Sequence, residues 1–105
     1  MPAIHLIKND RSLPRITPIR RGTNDYQSGF WALTEATARA LIGGEIYFHE
    51  RQTGPSFFGG IIKDAIKVEG GEYADRILFT FTSDQACKGV VTPRKGWAQE
   101  MKIVL

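Results

Sequence analysis

The stretch from Thr34 to Val68 constrains the fold more than any other part of the chain. A short amphipathic segment stops at a Gly-Gly pair, and two aromatic-rich extended segments follow, joined by a turn. Leu33, Ala36, Thr37, Ala40 and Leu41 recur at helical spacing, and Thr34 is placed to cap the first turn. Gly43 and Gly44 can adopt the positive φ that ends a helix, so this one is expected to be short. Beyond the glycines, Ile46 and Phe48 point to one face of a strand while Tyr47 and His49 point to the other. Phe57-Phe58-Gly59-Gly60-Ile61-Ile62 supplies the returning strand.

The flanking sequence adds strands and no second long helix. Ala3–Ile7 has strand composition and ends at a turn over Asn9–Ser12, and Arg15–Arg20 is extended, with Pro18 restricting it to an edge or a bulge. Tyr26–Trp31 reads as a brief extended segment leading into the helix. Ile61–Val68 and Arg76–Thr82 read as two antiparallel strands turning at Glu69-Gly70-Gly71-Glu72. Ser83–Lys88 can form one helical turn, Arg94-Lys95-Gly96-Trp97 is a basic loop, and Met101–Leu105 closes the chain as a strand. Many short strands with one principal helix predict a single α+β domain over residues 1–105, a small and strongly curved sheet or barrel, because closure protects edges that a small domain cannot otherwise cover.

Composition excludes several classes. No apolar run approaches the roughly 20 residues of a membrane helix. The start, Met1-Pro2-Ala3-Ile4-His5, lacks the basic and apolar regions of a secretory signal, so a cytoplasmic location is expected. The single cysteine, Cys87, cannot form an internal disulfide or a multi-cysteine zinc site and reads as an inert thiol. Charge is unevenly placed. Residues 1–27 hold Lys8, Arg11, Arg15, Arg20 and Arg21 against Asp10 and Asp25, and residues 88–105 hold Lys88, Arg94, Lys95 and Lys102 against Glu100, while the middle of the chain is net acidic. If the terminal segments pair as neighbouring strands, the basic ends merge into one surface suited to a polyanion.

Trp31, the helix ending Ala40-Leu41-Ile42-Gly43-Gly44, the strand Glu45-Ile46-Tyr47-Phe48-His49 and the segment Phe58-Gly59-Gly60-Ile61-Ile62 together resemble the PUA-like superfamily of PUA, ASCH, EVE and YTH domains, over about a third of the chain. The resemblance implies a small β-barrel with a cleft, used in that superfamily for RNA, for modified bases and, in some ASCH members, for nucleoside-like substrates. A Glu-Lys-Thr motif of the ASCH kind is missing near the front of the chain, and no YTH aromatic cage can be assigned residue by residue.

The candidate chemistry follows from these placements. Trp31 and Trp97 are planar platforms on which a base can stack, and Trp97 directly follows Arg94 and Lys95, which can hold phosphates as Arg20 and Arg21 can. Tyr47 and His49 share a strand face with Arg51 two residues on, polar enough to line a cleft, and Ser56 can add a hydroxyl. Against this stand ordinary readings: Trp31 beside Phe30 as core, and the Tyr47–His49 face as solvated surface. His5 and His49 are far apart in sequence, no carboxylate lies at a ligand spacing, and neither a metal nor a cofactor is expected. His49, Glu50, Glu45, Lys63 and Cys87 are the residues an enzyme would draw on, but none forms a diagnostic pair, and catalysis is left open. The leading expectation is a nucleic-acid-binding domain for RNA or DNA, with a modified or flipped base as its target. The alternatives are a small hydrolase of nucleoside-like substrates or an accessory or inhibitor protein with a protein partner.

Overall fold

The computed structural model describes residues 2–7, 15–20, 22–98 and 100–105. Seven strands and one helix are arranged in chain order as β1 (Ala3–Ile7), β2 (Arg15–Pro18), β3 (Asp25–Trp31), α1 (Glu35–Ala40), β4 (Glu45–His49), β5 (Ser56–Lys67), β6 (Ile77–Ser83) and β7 (Met101–Val104). They form one mixed sheet in the order β2-β3-β6-β5-β4-β1-β7. Only β1 and β4 run parallel; the other pairs are antiparallel. Among the described residues β2 and β7 are not paired with each other, so the sheet is open, not closed as a barrel. The terminal strands do lie side by side, with Ala3 opposite Val104 and Leu6 opposite Met101. Among the described residues no helix is long and apolar enough to cross a membrane. The turn expected at Asn9–Ser12 lies outside those residues.

The helix forms as its sequence dictates. The Thr34 hydroxyl accepts from Thr37 N–H, Leu41 is the C-cap, and Gly43 takes φ 88°. Its buried residues Ala38 and Leu41 pack on the sheet with Ile4, Leu6, Ile46, Phe48, Ile62, Ala65, Ile77, Phe79 and Phe81. The rings of Phe48, Phe58, Phe81 and Tyr26, from four neighbouring strands, touch at centroid distances of 5.0 to 6.4 Å and make this face the core.

The two strands expected at Phe57–Ile62 and Ile61–Val68 are one 12-residue strand, β5. Gly59 and Gly60 lie inside it. A Cβ on Gly59 would collide with the Ile46 carbonyl and one on Gly60 with the Thr82 carbonyl, so glycine lets β5 approach both neighbours. The register of β5 against β6 shifts between Ile62 and Asp64, leaving Lys63 as the extra residue of a bulge.

Candidate functional site

Alternation sends a polar set of side chains to the face opposite the aromatic core. One row across the sheet reads Asp25, Thr82, Ile61, Glu45, Ala3, Val104, from β3 to β7, and the next reads Gly59, Tyr47, His5, Lys102. Over the second row lies a strap, residues 84–98, that contains a single 3-10 turn at Gln85–Cys87 and is otherwise irregular. Backbone and side-chain bonds fasten it. Ser56 N–H donates to Val90 O (2.8 Å), Gly89 N–H to Ser56 O (2.7 Å), Ser56 Oγ to Cys87 O (2.6 Å) and Val90 N–H to Ser56 Oγ (2.9 Å). At the other end the Lys102 ammonium donates to Thr92 Oγ1 (2.8 Å) and Pro93 O (2.6 Å). The strap explains why β1 is buried on both faces.

Beneath it lies a histidine relay. His49 Nδ1 is 3.0 Å from the Gly54 carbonyl, which can only accept, so that nitrogen carries the proton. Burial lowers the pKa of His49 against the opposing effect of this hydrogen bond, so the ring is neutral and its Nε2 is a bare acceptor. His5 Nδ1, 2.9 Å from that Nε2, therefore donates, and His5 Nε2 is left holding a lone pair. Burial first, then His49 and the Lys102 charge, push His5 down to about 4, so it too is neutral near pH 7. Aromatic neighbours fix both rings: Tyr47 stacks on His5 at 4.6 Å, and Trp97 stands edge-on to His5 at 6.2 Å and to His49 at 5.6 Å.

The rest of the layer is similarly bound. The Tyr47 hydroxyl donates to Glu45 Oε2 at 2.6 Å, and burial and that carboxylate raise its pKa. Cys87 is buried, covers Gly59 and is pushed up to about 11 by burial, then by Glu45 and Asp84, which leaves it a protonated, unreactive thiol. Among the described residues no three His, Cys, Asp or Glu side chains gather to hold a metal ion.

A second feature sits on the same sheet face towards β2. A hollow of about 320 Å³ is lined by Ile19 and Arg20 beyond β2, Asp25 of β3, Lys63 of β5, and Thr80 and Phe81 of β6. The bulge aims Lys63 here, and the Thr82 hydroxyl donates to Asp25 Oδ1 at 2.8 Å, leaving the second carboxylate oxygen to the hollow. Arg20 and Lys63 are exposed and make no ion pair with any described residue.

The structure thus brings Tyr47, His49 and Trp97 together, with Arg94 and Lys95 exposed on the strap just before Trp97. Arg20 lies apart from them, in the hollow, and Arg21 lies outside the described residues. Trp31 is 3% exposed, donates from Nε1 to Ser28 Oγ at 3.1 Å and belongs to the core. His49 is fully buried and orients His5. Sequence reasoning gave no role to His5, and considered Lys63 only for catalysis; their partners come from a parallel pairing and a bulge, neither of which leaves a local signal. In comparison with known proteins, no family model, curated protein or solved structure matches the chain.

Proposed function

We propose that this protein binds nucleic acid, seating one unstacked base of a single-stranded segment, a modified base included, in the hollow beside Arg20 and Lys63 and leading the segment on over the outer side of the strap. The observation that carries the reading is the hollow itself. Its volume of about 320 Å³ falls within the range of sites for small ligands. Its two cations pair with no described carboxylate and can take phosphates, and Asp25 and Thr80 offer polar atoms to a base edge. Farther along the same face, Arg94 and Lys95 add charge beside the partly exposed Trp97. The same reading takes the sheet as a PUA-like domain acting in the cytoplasm, in keeping with the order of Trp31, the helix, Gly43-Gly44 and Gly59-Gly60.

The test is binding of labelled single-stranded DNA and RNA followed by anisotropy across a salt series. Wild type is expected to bind at low salt with affinity that falls as salt rises. Arg20→Ala and Lys63→Ala are each expected to reduce the slope of log affinity against log salt by about 0.7, the share of one phosphate contact. An absence of binding by wild type at low salt contradicts the proposal.

A further inference from the structure

The hollow beside β2 is chemically divided. Its volume of about 320 Å³ lies at the low end of sites for small ligands, which is room for one base. Arg20 and Lys63 bring donors only, whereas Asp25 is the one carboxylate among the described lining residues and accepts only. Although two cations share the hollow with it, Asp25 makes no ion pair with a described residue. Its position is fixed from two sides. The Asp25 carbonyl accepts from Ile19 N–H at 3.0 Å, and the Thr82 hydroxyl, directly across the β3–β6 pair, donates to Oδ1 at 2.8 Å. A carboxylate oxygen has two lone pairs, so one on Oδ1 and both on Oδ2 are left for a ligand. Thr80 lies two residues along β6 from Thr82 on the same face, about 7 Å away at the rise of a strand. One carboxylate and one hydroxyl can therefore reach different atoms of a single base.

We infer that the hollow selects guanine, with the Asp25 carboxylate accepting from the N1–H and the N2 amino group of the base. The assignment rests on the nucleic-acid reading of the same hollow and names the base it takes. Among the common bases, guanine alone presents two adjacent donors. Adenine and cytosine each place a ring-nitrogen acceptor beside their amino group, and uracil and thymine flank one N–H with two carbonyls. Each of these sets a lone pair against an oxygen of Asp25 or leaves that oxygen without a donor. The Thr80 hydroxyl can donate to guanine O6, but a hydroxyl also accepts and does not choose between bases. Arg20 and Lys63 remain for phosphates, which carry no sequence information. Discrimination is therefore assigned to Asp25.

The experiment measures anisotropy of short labelled oligothymidylates that carry guanine, adenine, cytosine, thymine or hypoxanthine at the central position, at one fixed salt concentration. The guanine strand is expected to bind about tenfold or more tightly than the adenine, cytosine and thymine strands. Hypoxanthine keeps N1–H and O6 but lacks the N2 amino group, so its strand is expected to lose about tenfold against guanine. That comparison uses wild type alone and does not depend on how a variant folds. Asp25→Asn keeps an oxygen to accept from Thr82 and replaces the other by a donor, which matches the amino group and ring nitrogen of adenine. With circular dichroism unchanged, it is expected to abolish the preference for guanine over adenine while affinity still falls with salt. Wild type that binds every strand equally, or prefers another base, overturns the guanine assignment and leaves nucleic-acid binding standing. Hypoxanthine bound as tightly as guanine, or a guanine preference retained in folded Asp25→Asn, overturns the role of Asp25. Wild type that binds no strand at low salt overturns both the assignment and the nucleic-acid function.

Discussion

Acidification should destabilise the protein through His5 before its carboxylates titrate fully. The ring titrates at about 4 in the fold against an ordinary 6.5. Between those values the unfolded chain binds more protons than the folded one, so stability falls as pH falls, and the contribution is complete above pH 6.5. A difference of about 2.5 in pKa corresponds to about 3 kcal/mol lost by pH 4, a large share of the 5–15 kcal/mol typical of a domain. His49, lowered by burial, adds in the same direction. Urea unfolding at intervals from pH 7 to 4, followed by fluorescence, measures the slope. His5→Phe retains a ring against Tyr47 but cannot titrate. It is expected to be less stable at pH 7, because His49 Nε2 loses its donor, and to show a shallower pH dependence than wild type, retaining only the share of His49 and the acid background. A wild-type stability that is flat between pH 6.5 and 4.5, or a variant that falls as steeply as wild type, would refute the neutral relay.

Three other outcomes follow from the packing and the strap. Gly59→Ala drives a methyl group into the Ile46 carbonyl and to 2.9 Å from Cys87 Cβ, and should cost about 1–3 kcal/mol in chemical denaturation, as overpacking does. Ser56→Ala strands Val90 N–H and the Cys87 carbonyl, so hydrogen exchange at residues 87–90 should quicken by tenfold or more while the core strands stay protected. Trp97→Ala should weaken oligonucleotide binding at every salt concentration, whereas Arg94→Ala should chiefly flatten the salt dependence, because stacking releases few counterions; identical behaviour of the two variants would argue against separate roles.

Much of the framework was legible because it rests on local chemistry. Thr34 and Gly43 bound the helix as cap and positive-φ residues, the strand expected at Arg76–Thr82 corresponds to β6, and the closing strand is read from Met101 onwards. The long strand β5 was not legible. Gly59 and Gly60 have turn composition, and only the close approach of the Ile46 and Thr82 carbonyls explains them. The strap was also hidden, since residues 84–98 carry no periodicity, and without it the Tyr47–His49 face reads as solvent-facing or as the wall of a cleft. The pairing of His5 with His49 spans 44 positions and depends on β1 joining β4 in parallel. The terminal strands β1 and β7 do pair, the condition on which a merged basic surface depended. The merged basic patch is not found: Arg20 follows edge strand β2, whereas Arg94 and Lys95 precede β7 at the opposite edge, because five strands lie between β2 and β7.

Backbone amide chemical shifts report where a nucleic-acid strand lies on this protein. On titration of the isotope-labelled protein with a short single-stranded oligonucleotide, saturable shifts are expected at Arg20, Asp25, Lys63 and Thr80 around the hollow, with a second group at Arg94, Lys95 and Trp97, and little change at Phe48, Phe79 and Ala38 in the core. Shifts confined to other surfaces, or none at oligonucleotide concentrations well above that of the protein, would contradict it.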